Sequence, residues 1–238
     1  PQGIREAVLI EGGRISELGS TSDILLNGKA EVVDLKERSV FPAFSDSHMH
    51  FFAWAESQEI LNLTDCRSLT DLRESFKTFF RNRPIPEAEW VQGRGWNDTR
   101  MTEGRMPTKR DLDDLSPRNP IILTRICGHV AVLNSVAIDL LGITPDTHVA
   151  GGVFELGDDG EPNGIVSEEA VAYVHRQIPN LNDNDMTALL EKYGPQVASF
   201  GLTQLNSDDL ALFDFDFRRA INFYTDAGKA GKLPFRVR

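Results

Sequence analysis

The sequence predicts an α/β protein in which parallel strands are joined by crossover helices. Three observations carry that expectation. From residue 167 onward helical and extended patterns alternate, as a parallel sheet with crossovers requires. Short apolar runs at 40–44, 121–126 and 202–205 have the length of buried strands, with Pro or Gly close by. A hydrophobic content of 40% and a charged content of 26% over 238 residues suffice for a sizeable core.

Taken in order, 7–10 and 15–18 are apolar runs around Glu11-Gly12-Gly13-Arg14, which predicts a β-hairpin with glycine in the turn. Residues 20–26 read as a capped helical turn, and 32–35 and 39–41 as two further strands. After an extended stretch at 60–64, Ser68 and Asp71 mark a helix start. Leu69, Leu72, Phe76, Phe79 and Phe80 make its apolar face, and Pro84 and Pro86 close it. A strand at 89–96 runs into Gly93-x-Gly95; no helix of the right kind follows, so a nucleotide site is not favoured. A polar helix at 107–115 precedes the strand at 121–126, which delivers Cys127-Gly128-His129. Asn134 then caps a helix through Leu141, closed by Gly142. Residues 152–156 and 164–166 flank an Asp159-Gly160 turn and read as a hairpin. Ser167 is expected to cap a helix carrying Glu168 and Glu169 in its first turn. A long helix at 184–200, a strand at 202–205, a helix at 213–230 and a final strand at 235–238 complete the pattern. The acidic run 213–217 reads as a helix start.

The chemistry concentrates in Asp46-Ser47-His48-Met49-His50, behind a Pro and an apolar lead-in. Alternation along a strand puts Asp46, His48 and His50 on one face, with Ser47 and Met49 on the other. Two imidazoles so spaced present nitrogen lone pairs to a single ion, which suits zinc or a similar borderline metal. A bare His-x-His recurs by chance, and many histidines only satisfy a hydrogen bond. The apolar lead-in favours the metal reading, with Asp46 as an orienting partner.

The stretch Val40-Phe41-Pro42-Ala43-Phe44-Ser45-Asp46-Ser47-His48-Met49-His50 resembles the first-strand signature of the amidohydrolase superfamily, usually Pro-Gly-Phe-Ile-Asp-x-His-x-His. Further matches come in order: Gly93-Arg94-Gly95-Trp96-Asn97-Asp98, Cys127-Gly128-His129 with Asn134-Ser135, Gly151-Gly152 with Asp159-Gly160, Gly164-Ile165-Val166 with Glu168 and Ala170, and Gly201-Leu202-Thr203. Together they resemble amidohydrolase family 3, which includes N-substituted formamide deformylase-like enzymes. Ala43, Ser45 and Gln204-Leu205-Asn206 depart from the usual pattern.

The resemblance implies a partial (β/α)8 TIM barrel of the amidohydrolase type, with a small β-sandwich segment and a large α+β insertion. Residues 1–41 would be the sandwich segment, 42–59 and 165–238 the barrel portion, and 60–164 the insertion. It also implies a divalent metal, most simply zinc, as one or two ions, with His48 and His50 as ligands. The implied reaction is hydrolysis of an amide or amide-like, non-peptide C–N bond by metal-activated water. The family's other ligands (a strand-four Lys or Glu, two His and a late Asp) match nothing here. The catalytic group is therefore expected beyond residue 238, and the chain reads as opening and ending within a longer protein. The alternative is a non-catalytic, metal-binding or regulatory member of the fold, at which Ala43, Ser45 and the polar second strand hint.

Other readings narrow the setting. A formal charge of −11 disfavours nucleic acid and anionic membranes as partners, since phosphate binding needs excess Lys and Arg. No apolar run approaches the ~20 residues of a membrane helix. Two cysteines, Cys66 and Cys127, make no disulfide framework, so a reducing, cytoplasmic setting is expected with both thiols buried. A small-molecule substrate is the expected partner. A homodimer is the expected assembly, because an open barrel edge leaves strand groups unpaired. Trp96 and His129 are candidate substrate contacts, the first weighed against core packing and the second against a structural hydrogen bond. Glu168 is weighed as a catalytic acid against a solvated helix charge. His148 and His175 receive no role.

Overall fold

The computed structural model describes residues 3–26, 30–213 and 215–238, and the chain divides into two compact units, 1–42 and 43–238. In the first unit β1 (Ala7–Glu11) and β2 (Arg14–Gly19) form the expected antiparallel hairpin, and α1 (Thr21–Leu26) follows. The strands expected at 32–35 and 39–41 do not form: both stretches are irregular, with Val33 and Phe41 more than 70% exposed. An apolar run becomes a strand only where a neighbour pairs its N–H and C=O groups, and no described strand lies beside these two.

The second unit is a mixed α/β fold with parallel strands in two sheets. It begins with β3 (Phe44–Met49), α2 (Phe51–Ser57), β4 (Leu61–Asn62), α3 (Leu69–Asn82) and β5 (Val91–Trp96). Then come α4 (Lys109–Asp113), β6 (Ile121–Arg125), β7 (Val130–Leu133), α5 (Ser135–Leu141), β8 (Gly152–Leu156) and β9 (Pro162–Glu168). The chain closes with α6 (Glu169–His175), α7 (Asp183–Ser199), β10 (Leu202–Ser207), a 3-10 turn at Leu210–Phe213, α8 (Phe217–Lys229) and β11 (Arg236–Val237). Strands β3, β10 and β11 make a three-stranded parallel sheet in the order β11-β10-β3. A six-stranded mixed sheet runs β4-β5-β6-β7-β9-β8, with β4, β5 and β6 parallel.

Local chemistry explains most boundaries. Ser68 accepts the Asp71 N–H at 3.0 Å and starts α3, and the Asn134 side chain accepts the Ala137 N–H at 3.0 Å to start α5. Gly142, at φ +62°, ends α5 in the left-handed conformation that glycine adopts without penalty. Strand β7 fell outside the sequence reading, because four residues between His129 and Asn134 look like a link. They pair with β6 across the Cys127-Gly128 turn. Ser167 lies in β9 rather than capping α6, and Glu168 holds the cap position at φ +55°. The insertion boundary expected at 164/165 falls inside β9, whose pairing to β7 and β8 carries that sheet through Glu168. The helix expected from 213 starts at Phe217, capped by Asp216, after the 3-10 turn; within the acidic run Asp214 lies outside the described residues.

Packing follows the two-residue alternation of strands. In β6, Ile121 and Leu123 join Leu72, Phe76 and Leu112 on one face of the large sheet. Ile122 joins Ala137, Ile138 and Val174 on the other. Helices therefore cover both faces. The small sheet buries Leu205 against Phe51 and Phe52 of α2, Leu190 of α7 and Phe213. The Gly93-x-Gly95 pair serves strand packing. A Cβ at Gly93 would sit 2.7 Å from Leu123 Cδ2, and one at Gly95, already at φ +111°, 2.6 Å from Thr64 Oγ1.

Glu59 ties the end of α2 to two other helices. Its carboxylate meets Arg83 Nη1 at 2.5 Å and Lys192 Nζ and Tyr193 Oη at 2.6 Å each. Burial alone would raise its pKa; hydrogen bonds from Lys192 and Tyr193, with the charges of Arg83 and Lys192, hold it below the usual 4.5. A depressed folded pKa gives stability that is present above 4.5 and lost as pH falls through the lowered value. Glu59→Gln is expected to lower unfolding free energy at pH 7 by about 1–2 kcal/mol, since two of its partners are half-exposed. The variant should also lose stability less steeply than wild type below pH 4.5, as read by urea titrations across pH.

Candidate metal centre

Because β3 and β10 are parallel neighbours, their carboxyl ends open side by side. Ligand sites in open α/β sheets gather outside such ends. His48 and His50 stand at the end of β3, their rings 5.0 Å apart and nearly perpendicular. Asp208 and Asp209 follow β10. The Asp208 N–H donates to the Met49 carbonyl at 2.9 Å, and His50 Nδ1 meets the Asp208 carbonyl at 2.5 Å. A carbonyl only accepts, so Nδ1 carries the hydrogen and the Nε2 lone pair is left for a ligand. Metal-binding histidines are held in this way by a partner on the other ring nitrogen.

The orienting role expected for Asp46 goes elsewhere. Its Oδ1 accepts the His48 main-chain N–H at 2.9 Å, and the carbonyl that sets a ring is that of Asp208. One donor atom each from His48, His50 and Asp208 lies within 4.8 Å of the others, and all three residues are exposed. Nitrogen and carboxylate donors fit a borderline divalent ion such as zinc. Asp209, by contrast, is only 5% exposed. It accepts the Phe52 N–H at 3.2 Å and hydroxyls from Ser207 and from Tyr224, the latter at 3.3 Å. Burial pushes the Asp209 carboxyl up, against the pull of those donors and of His50. Burial and the neighbouring Asp209 likewise raise the Tyr224 phenol. Asp209 thus braces the loop that presents Asp208 against the first turn of α2.

The other candidates separate. Trp96 is fully buried in the core of the large sheet, its indole N–H donating to the Leu123 carbonyl at 2.7 Å, the core-packing alternative weighed for it. His129 is exposed at the β6–β7 turn, with Nδ1 3.1 Å from Glu168 Oε2. Glu168 therefore pairs with a histidine instead of standing as a free first-turn charge. Cys66 is buried as expected, but Cys127 is exposed, because the turn that carries it projects from the sheet. Its slight burial opposes ionisation, yet the His129 N–H and the Arg125 guanidinium bring the thiol below its usual range.

Asp208 and Asp209 were missing from the sequence reading. The available signal was an acidic pair directly after Ser207, where β10, the parallel partner of the histidine strand, ends.

Among the described residues no helix is long and apolar enough to cross a membrane. The chain is 32% identical over 237 residues to the protein named amidohydrolase YtcJ of Bacillus subtilis, covering 97% of this chain and 44% of that protein. It is 30% identical over 244 residues to the N-substituted formamide deformylase of Arthrobacter pascens, covering 98% and 43%. The chain thus spans less than half the length of these relatives. Its fold is similar to the crystal structure of an uncharacterized metal-dependent hydrolase from Pyrococcus furiosus. The TM-score is 0.68 at 26% identity, over 97% of this chain and 44% of that one. The profile of the amidohydrolase family matches residues 31–238, which include the histidine strand, its parallel neighbour and the whole six-stranded sheet between them; the chain belongs to that family.

Proposed function

We propose that this chain carries the opening part of a metal-dependent hydrolytic centre acting on an amide or amide-like, non-peptide C–N bond of a small molecule. The observation that carries it is the His48–His50 pair at the carboxyl end of β3, with the His50 ring tied through Nδ1 and its other nitrogen without a hydrogen-bond partner among the described residues. The relatives named for amidohydrolase and formamide deformylase activity support the bond class. His48 and His50 would hold a divalent ion, most simply zinc. When bound, such an ion polarises a carbonyl and brings a water molecule's pKa near neutrality.

The chain's own residues supply position. The Asp208 carbonyl fixes the His50 tautomer, and Asp209 pins the β10 loop to α2. The three-stranded parallel sheet, with its helices on one face, represents the first part of a (β/α)8 barrel in this reading, and the six-stranded sheet represents the insertion. No residue of 1–238 is assigned the general-base role; the resemblance gives it to a later aspartate.

The test uses a form of the protein extended to the length of its relatives. It is expected to purify with one or two equivalents of zinc by elemental analysis and to hydrolyse an N-substituted formamide. Chelation should remove both properties, and added zinc should restore them. An extended protein that takes up no divalent metal and hydrolyses no amide after zinc reconstitution would sink the proposal.

A further inference from the structure

We propose that the β6–β7 turn and the strand ends around it bind a short aminocarboxylate, its carboxylate on the Arg94 guanidinium and its ammonium on the His129–Glu168 pair. The site uses neither His48 nor His50, and the inference does not depend on the metal-dependent reading above.

Register comes first. Arg94 of β5 pairs with Thr124 of β6, Thr124 with Ala131 of β7, and Ala131 with Val166 of β9. Registered neighbours in a sheet point their side chains to one face, here the face on which Ala131 and Val166 pack against Val174 of α6. Two-residue alternation carries His129 to that face, and Glu168 meets it there with Oε2 3.1 Å from Nδ1. His175, in the last turn of α6, closes over the row with Nε2 3.4 Å from Thr124 Oγ1. A polar row therefore crosses β5, β6, β7 and β9 beside the carboxyl ends of β5 and β6, where ligands of α/β sheets gather.

Charge comes second. The Arg94 side chain is exposed, and its guanidinium has no hydrogen-bond or ion-pair partner among the described residues. Arg125, one residue past Thr124, is instead committed to Asp98 at 2.7 Å and to Asn97 at 3.2 Å. Arg94 reaches across β6 to the turn: a Cβ built on Gly128 would lie 3.8 Å from its Nη2. Its charge is felt at His175, whose imidazole is held below the usual range by burial and then by Arg94. A planar guanidinium so placed takes a carboxylate through two parallel N–H bonds. At the other end the Glu168 carboxylate only accepts, so His129 Nδ1 carries the hydrogen. The Nε2 lone pair has no partner among the described residues. An ammonium donates to that nitrogen and is attracted by the negative Glu168 behind it. Opposite charges at the two ends favour a zwitterion over a simple anion or cation. Strands β5 and β7 are two sheet spacings apart, about 10 Å, and the reach of Arg94 toward Gly128 shortens the gap to a short carbon chain.

Strain comes third. Glu168 is held at φ +55° and ψ −127°, a conformation that glycine tolerates and other residues adopt at a cost. Its main-chain N–H is fixed by the His129 carbonyl at 2.8 Å. A hydrogen-bonded pair as exposed as His129 and Glu168 adds little stability to offset that cost. Strain of this kind gathers at ligand clamps, where a side chain has to stand in one place.

The test is calorimetric titration of the extended protein, stripped of metal, with glycine, γ-aminobutyrate and ε-aminocaproate. Acetate, inorganic phosphate and methylamine are the one-ended controls. At least one aminocarboxylate is expected to saturate a single site about 10-fold more tightly than any control. Arg94→Gln and His129→Gln should each weaken that binding about 10-fold or more, with zinc content on reconstitution unchanged. Glu168→Gly should weaken it as well while raising the thermal unfolding midpoint, because strain is released as the ligand contact is lost. Circular dichroism of each variant checks that the fold is kept, which the exposure of these side chains predicts. The proposal is overturned if no aminocarboxylate binds more tightly than the controls, or if Arg94→Gln and His129→Gln bind like wild type. It is equally overturned if Glu168→Gly lowers the midpoint and leaves affinity intact, which would make the pair a structural brace. Zinc uptake and amide hydrolysis are read separately, so either failure leaves the metal-dependent reading standing.

Discussion

His50→Ala in the extended protein is expected to lower metal affinity and amide hydrolysis together by more than about 100-fold, because residues one step removed from a metal already contribute 10–100-fold. The loss has two parts. A nitrogen donor disappears, and so does the group that holds the Asp208 carbonyl, leaving the Asp208 N–H on the Met49 carbonyl as the link between the β10 loop and the histidine strand. Stability should barely change. The side chain is exposed, and the single hydrogen bond it makes contributes on the order of 1 kcal/mol at most in that setting. The measurement is therefore a pair: zinc content with turnover on one side, and the thermal unfolding midpoint on the other. Loss of metal and turnover with an unchanged midpoint is the expected result. A variant that keeps its zinc, or loses function only through unfolding, would contradict the role given to His50.

How far the sequence anticipated this site depends on how local each feature is. The His48–His50 pair was legible because a two-residue period on a strand is a property of four or five neighbouring residues. The same holds for Ser68 capping α3, Gly142 closing α5 and the Asp159-Gly160 hairpin turn. Asp208 was not legible. It meets the histidines only because β10 pairs in parallel with β3 across the intervening six-stranded sheet, and sequence periodicity does not report which strands pair. The expected strands at 32–35 and 39–41 failed for the same reason in reverse: an apolar run supplies propensity, while a ladder needs a neighbour. Glu168 looked like a helix charge because its partner, His129, lies on another hairpin 39 residues away. Cys127 looked buried on the statistics of its residue type, whereas its position on a projecting turn decides the matter.

Trp96 shows the same limit most sharply, and Trp96→Ala tests it. An aromatic after Gly93-Arg94-Gly95 could wall a pocket or fill a core, and nothing local separates the two. The fold does. Gly93 and Gly95 let β5 approach Leu61, Leu123 and Thr64 closely, and the indole is buried in the same cluster as Leu61 and Leu123. Trp96→Ala is expected to reduce stability by about 3–5 kcal/mol, from lost burial and the cavity left behind. The Leu123 carbonyl, 2.7 Å from the indole nitrogen, loses its donor as well, which adds about 1 kcal/mol. That sum is a large fraction of the ~5–15 kcal/mol that holds a typical domain together. Trp96→Phe separates the two terms, since it keeps most of the volume and loses the N–H; about 1–2 kcal/mol is expected. Denaturant unfolding of the three proteins gives both differences. A Trp96→Ala variant as stable as wild type, with altered affinity for substrate in the extended protein, would return Trp96 to a pocket wall. A large loss of stability, with unchanged zinc or cobalt affinity in the molecules that remain folded, places it in the core. It would also show that the large sheet and the histidine–aspartate cluster are energetically separable parts of one chain.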